Sequence, residues 1–182
     1  MPGDAPLGRR LTPPAKLLMR VGLGYDSHRF DPATPCILGG IEIPDHPGLT
    51  GHSDGDAICH AVIDAILGAA ALGDVGSHFP PSEDRWKGAD SIDLLRRSIE
   101  ILERANYQVV NIDVTVICET PKIGPHAGAV RARLGQVIGI GPDFVSVKGK
   151  TNETMGWEGR REGLAVHAIA LIDRVEGDAP TV

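Results

Sequence analysis

At 182 residues, with 42% hydrophobic and 23% charged side chains, the chain can bury one sizeable core and is too short to suggest two large domains. A net charge of −6 and the lack of a basic stripe argue against nucleic acid as a partner. Cys36, Cys59 and Cys118 lie far apart with no CxxC pair, which argues against a disulfide framework or thiolate zinc site and for buried free thiols in a reducing compartment.

Residues 1–19 read as a disordered extension, with four prolines between Met1 and Lys16. The apolar run behind them, Leu17 to Met19, is too short for a signal-peptide core or a membrane span. The expectation is a cytoplasmic protein without membrane contact, with a single domain over residues 20–182. In VGLGYDSH, period-2 alternation puts Val21, Leu23 and Tyr25 on one face of a strand and Gly22, Gly24, Asp26 and His28 on the other. The glycine face lets another backbone or a ligand come close, and it ends on two polar side chains pointing the same way. Those two are either half of a metal site or a solvated strand end. Cys36 to Pro44 reads as a short hairpin or a broken strand, with Gly39-Gly40 as turn residues between two aliphatic pieces, and Asp45 to Leu49 as a loop.

Gly51 to Gly76 is the chemically densest stretch. A helix is expected after Ser53 or Asp54, either of which can cap its first amides. Ile58, Ala61, Val62, Ala65, Ile66 and Ala69 form its buried stripe, while Asp56, His60 and Asp64 share another, with a carboxylate one turn either side of the imidazole. Asp26, His28 and His60 together make an N/N/O set that suits Zn²⁺ with an open fourth position, although a helical histidine of this kind also occurs with no ligand role. After Asp74, Pro80-Pro81 bars helix and Trp86 anchors the loop. Asp90 or Ser91 caps a packing helix with Ile92, Leu95, Ile99 and Leu102 inward.

Gln108 to Glu119 alternates, with Val110, Ile112, Val114, Val116 and Cys118 dry and Asn111, Asp113, Thr115 and Glu119 polar, facing either solvent or another subunit. A loop from Thr120, a helix over Ala127 to Ile138, and strands over Phe144 to Lys148 and Gly163 to Arg174 complete the chain. The last strand is apolar on both faces and reads as central and buried, with His167 neutral and hydrogen-bonded. Between those strands, Lys148 to Gly163 mixes Lys150, Thr151, Asn152, Glu153, Arg160 and four glycines, a composition suited to phosphate or to a charged surface loop over Trp157. It lacks the GxxxxGK spacing of a Walker loop.

Taken in order, GLGYDSHRF, LGGIEIP, GHSDGDAICHAVIDAILGAAALGDVGSHF, NIDVTVICETPKIGPH and VKGKTNETMGWEGRREGLA resemble the 2-C-methyl-D-erythritol 2,4-cyclodiphosphate synthase family from Val21 to Arg174. The resemblance implies an α/β (two-layer α+β) subunit, with a mixed sheet covered by helices on one face. It also implies a homotrimer with sheets toward the threefold axis and active sites between subunits. It makes Asp26, His28 and His60 ligands of Zn²⁺, and Glu153 the ligand of a second divalent ion, Mg²⁺ or Mn²⁺. His52, Thr151 and Glu153 become catalytic, and His52, Ser53, Asp74, Val75 and Gly76 substrate contacts. Thr120, Pro121, Lys122, Ile123, Gly124, Pro125 and His126 with Lys150, Thr151 and Asn152 form a cytidine and diphosphate pocket, with Trp157 and Arg160 near it. Lys150, where many members have threonine, and Pro81-Ser82-Glu83 depart from the family pattern.

The implied substrate is 4-diphosphocytidyl-2-C-methyl-D-erythritol 2-phosphate, whose 2-phosphate attacks the β-phosphorus and expels CMP. No side-chain nucleophile is needed for a phosphate already ionised at neutral pH. Two other readings fit the same residues: a zinc-dependent phosphohydrolase, and a non-catalytic cytidine-nucleotide or isoprenoid-diphosphate binding module.

Overall fold

The computed structural model describes residues 19–175. The expected extension, apart from the exposed Met19, lies outside the described residues. Strand β1 (Arg20–Leu38) runs on well past His28, turns at Gly39-Gly40, both at positive φ, and pairs antiparallel with β2 (Ile41–Leu49). Of a hairpin and a broken strand, the segment forms the hairpin. The segment Asp45 to Leu49, read as a loop, instead belongs to β2, where Pro47 to Leu49 pair with Pro35, Asp31 and Phe30 across a register shift. Local turn residues hid a pairing that depends on the long partner strand.

Helix α1 (Ala57–Ala70) buries every residue except His60, Asp64 and Gly68. It starts later than Ser53 or Asp54 would allow, because Asp56 is the cap: its carboxylate takes the amides of Ile58 and Cys59 at 3.1 Å. The same carboxylate takes Gly39 N–H at 2.8 Å and Gly40 N–H at 2.6 Å, tying the hairpin turn to the helix start. Four backbone donors thus satisfy a fully buried acid, whose carboxyl burial nevertheless pushes above its ordinary pKa.

After a short α2 (Val75–His78), α3 (Ser91–Arg104) is capped by Asp90 and buries Ile92, Leu95, Ile99 and Leu102 as expected. Strand β3 (Tyr107–Ile117) buries Val109, Ile112, Val114 and Val116. A bulge at Val110 removes that residue from the dry face to which simple alternation assigned it. Helix α4 (Gly124–Ile138) begins a turn earlier than Ala127, with Pro125 in its first turn, where a missing N–H costs nothing. Strand β4 (Val145–Lys150), the short α5 (Gly156–Gly159) and β5 (Gly163–Arg174) follow.

The sheet is mixed, in the order β2-β1-β5-β3-β4, with β3 and β4 parallel and the other pairs antiparallel. Its core face meets α1 at Gly22 and Gly24, where a Cβ would fall 2.0 Å from Ala65 O and 1.9 Å from Ala61 O. Only hydrogen at those two positions permits this approach. The other face stays bare along β1 and β5: Val21 is 68% exposed, Leu23 66% and Ile169 46%. His167 lies on that face, exposed, 5.0 Å from the Tyr25 ring, and is not the buried, hydrogen-bonded residue expected. β5 is central as expected, but in the single chain helices cover only one of its sides.

Candidate active site

Strand and helix geometry bring the first cluster together. Two residues along a strand advance about 6.6 Å, and four along a helix about 6 Å. The pairs Gly22 against Ala65 and Gly24 against Ala61 therefore keep step, and the next inward position, Asp26, arrives beside His60. Asp26 Oδ2 lies 2.8 Å from His28 Nε2 and 3.0 Å from His60 Nδ1, and the two nitrogens are 3.3 Å apart. Zn–N bonds of about 2.0–2.1 Å put tetrahedral ligand atoms about 3.3 Å from one another, so the spacing and the N/N/O donor set fit a divalent cation.

Burial pushes the Asp26 carboxyl up, but the hydrogen bonds and charge of His28 and His60 outweigh it and hold it well below the usual carboxylate range. For His60, burial opposes the charged form, and Asp26 prevails, raising its pKa. The stripe of Asp56, His60 and Asp64 does not work as spacing suggested. Asp56 faces the hairpin turn, and Asp64 accepts the Val75 N–H at 2.8 Å; the carboxylate that meets His60 comes from β1.

A pocket of about 250 Å³ opens beside this cluster, lined by His28, His60, His52, Ser53, Val75, Gly76, Phe79, Pro81, Trp86 and Leu94. Asp74 stands at its edge in sequence, capping α2 through a reciprocal pair with Ser77 that holds its carboxyl below the ordinary range. Trp86 packs edge-on against Phe79 at 5.1 Å, anchoring the loop as expected.

The second predicted group lies elsewhere. Pro121, Lys122, Ile123, Gly124 and Pro125 line a groove of about 560 Å³ with Lys148 to Thr151, and it shares no residue with the pocket above. Thr120 hydroxyl meets His46 Nε2 at 3.2 Å, and the Thr120–Pro121 peptide is cis. The His126 amide is spent in the first turn of α4. Thr151 donates to Glu153 Oε1 at 2.8 Å, and Asn152 Nδ2 reaches Met155 O at 3.0 Å. Trp157 lines a third hollow, with Ser27, His28, Arg29 and Glu162, and Arg160 is paired with Glu162 at 2.7 Å.

Three residues gained a place that sequence reasoning did not give them. Glu119, read as one polar strand residue among several, takes the amides of Asn152 and Thr154 at 3.0 and 3.2 Å; Glu153 and Thr154 both sit at positive φ. This carboxylate fixes the turn that presents Glu153. Asp54 and Ser91, read only as possible caps, join each other behind His60. Acid and hydroxyl residues before helices are too common for either to stand out from spacing.

The sequence model of the YgbB family matches residues 19–173. A 2-C-methyl-D-erythritol 2,4-cyclodiphosphate synthase of Symbiobacterium thermophilum is 54% identical over 154 residues, covering 85% of this chain and 98% of the relative. The enzyme of the same name from Gemmatimonas aurantiaca is 56% identical over 156 residues, covering 86% and 94%. Among solved structures, the CDP complex of IspF from Plasmodium falciparum superposes with a TM-score of 0.76 at 32% identity, over 87% of this chain and 97% of that one.

Proposed function

The chain belongs to the YgbB family, and from that membership we infer that it converts 4-diphosphocytidyl-2-C-methyl-D-erythritol 2-phosphate to 2-C-methyl-D-erythritol 2,4-cyclodiphosphate and CMP, as a lyase of isoprenoid precursor biosynthesis. The observation that carries the reading is the Asp26–His28–His60 cluster beside a pocket that His28 and His60 line together with His52 and Ser53.

In this reaction the substrate's 2-phosphate oxygen forms a bond to the β-phosphorus as the bond from that phosphorus to the CMP oxygen breaks. The chain therefore supplies position and charge rather than a nucleophile. Asp26, His28 and His60 would hold Zn²⁺, and Glu153 Mg²⁺ or Mn²⁺; bound there, these ions supply the positive charge that draws phosphate groups together. His52, Ser53, Val75 and Gly76 hold the erythritol end, with Asp74 beside them. Thr120 to His126 hold the cytidine, Lys150 and Thr151 stabilise the charge that builds on the departing CMP phosphate, and Asn152, Trp157 and Arg160 support that rim.

The two groups of residues occupy separate hollows in one chain. A homotrimer in which neighbouring chains join them accounts for both the separation and the bare face of β1 and β5. Cys36, Cys59 and Cys118 are free and buried, in keeping with a reducing cytoplasm. Among the described residues no helix is long and apolar enough to cross a membrane.

Phosphorus NMR of the purified protein with the cytidyl substrate, Mg²⁺ and zinc tests the reading, with a cyclic diphosphate plus CMP as the expected product. Free phosphate would indicate a hydrolase instead, and binding without turnover a nucleotide-binding module.

A further inference from the structure

Behind His60, on the side away from Asp26, a line of hydrogen bonds leads into the fold through residues so far without a role. Ser91 is the first residue of α3, yet Asp90 does the capping, so the fully buried Ser91 hydroxyl is free for another use. The Asp54 carboxylate takes the Ser91 N–H at 2.9 Å through Oδ2, and the Ser91 O–H through Oδ1. A serine hydroxyl has one proton. Having given it to Asp54, Ser91 Oγ can meet His60 Nε2, 3.0 Å away, only by accepting. Ser53 Oγ lies 3.0 Å from the same nitrogen and 3.3 Å from Ser91 Oγ, so a second hydroxyl oxygen faces the same N–H.

We propose that Asp54 and Ser91 are positioning residues that fix His60 as its Nε2–H form and aim its Nδ1 at the cation. The order of donors runs one way, from His60 Nε2–H to Ser91 Oγ and from Ser91 O–H to Asp54. That leaves Nδ1, 3.0 Å from Asp26 Oδ2 and 3.3 Å from His28 Nε2, as the ring atom whose lone pair serves the shared site. Asp54 is itself held, since its N–H donates to Ala89 O at 3.1 Å and its Oδ1 accepts from Asp56 N at 3.2 Å. The loop before α1 and the start of α3 therefore share responsibility for one ring orientation. Loss of such an outer partner of a metal-binding histidine costs about 10–100-fold in metal affinity.

The inference rests on the metal reading above, and the test separates them. Zinc affinity is measured by chelator competition on the unaltered chain, Ser91→Ala and Ser53→Ala, and the ring tautomer by long-range proton–nitrogen NMR of the zinc-loaded unaltered chain, assigned by loss of the signal in His60→Ala. The expected result is stoichiometric zinc and an Nε2–H His60 in the unaltered chain. Affinity should fall 10–100-fold in Ser91→Ala and less in Ser53→Ala, with circular dichroism unchanged. An unaltered chain that binds no zinc overturns the metal reading and this inference with it. A chain that binds zinc while Ser91→Ala matches it within twofold, or whose His60 carries its proton on Nδ1, overturns this inference alone. The tautomer is read on the unaltered chain and does not depend on Ser91→Ala, so a Ser91→Ala chain that fails to fold leaves the proposal open to refutation.

Discussion

Replacing Gly24 by alanine asks whether the distance between β1 and α1 holds the cation cluster in register. The new Cβ would sit 1.9 Å from Ala61 O and 2.7 Å from Ala65 N, backbone atoms of α1 that no rotamer change can move. Ordinary contact begins at 3.4 Å, so strand and helix must part locally by roughly 1.5 Å. Overpacking of this kind costs about 1–3 kcal/mol, a fall of about 2–4 °C in Tm per kcal/mol for a chain this size. The larger consequence is at the site. Asp26 and His28 ride on β1 and His60 on α1, whereas metal–ligand distances must hold to about 0.2 Å. Gly24→Ala should therefore lose stoichiometric zinc and cyclodiphosphate formation although no ligand has changed. Gly68→Ala is the control, since its Cβ meets nothing within 4 Å on the exposed side of the same helix; it should gain about 0.5–1 kcal/mol and keep zinc. Zinc content after dialysis and melting followed by circular dichroism are the readouts. A Gly24→Ala chain with full zinc and an unchanged rate would refute the reasoning.

Other perturbations have equally definite outcomes. His60→Ala should abolish zinc binding and turnover while leaving the far-ultraviolet spectrum unchanged; a fully active, zinc-free variant would remove the site. Burial pushes the Cys36 thiol up to about 12 and the Cys118 thiol to about 11, and the Cys59 thiol well above its ordinary value. An aromatic disulfide reagent at pH 8 should therefore titrate no cysteine until denaturant is added. The Lys148 ammonium holds the Asp113 carboxyl below its ordinary pKa, so the pair's contribution is present above the unfolded value near 3.8 and is lost as pH falls through the folded one. Urea titrations of Asp113→Asn should show a deficit of at most about 1 kcal/mol at pH 7, shrinking toward zero in acid.

How much of the site could be read from the sequence depended on how far apart the cooperating residues lie. Gly22, Gly24, Asp26 and His28 fall on one face by the two-residue period of a strand, and the alanines of α1 repeat at helical spacing, so their meeting at His60 follows from two local patterns. Ser91 and Asp54 are 37 positions apart, and Glu119 is 33 from the Asn152 amide it holds. Each residue type is ordinary in its own segment, and nothing periodic joins them. The misplaced helix start has a related cause: Ser53, Asp54 and Asp56 can all cap, and the choice is made by Gly39 and Gly40, whose amides Asp56 also collects.

The reading of β5 failed in a more informative way. Apolar residues on both of its faces predicted a buried strand, and in the single chain one face carries exposed Ile169 and His167 beside Val21, Leu23 and Tyr25 of β1. In the proposed trimer a neighbouring chain covers this face, which would account for a strand apolar on both sides but covered on one. Full burial of a large apolar side chain stabilises by about 1.5–3 kcal/mol, and several such side chains on one patch favour association. Leu23→Glu places an unpaired charge at the centre of that patch. The substitution faces solvent in the single chain, so folding should be little affected, while a trimer should dissociate in light scattering after gel filtration. Zinc bound by one chain's Asp26, His28 and His60 should persist in the separated subunit, and turnover, which in the proposed trimer also needs a neighbour's Lys150 to Glu153, should be lost. A Leu23→Glu protein that remains trimeric, or a monomer that turns over at the full rate, would show that this face is not where the chains meet.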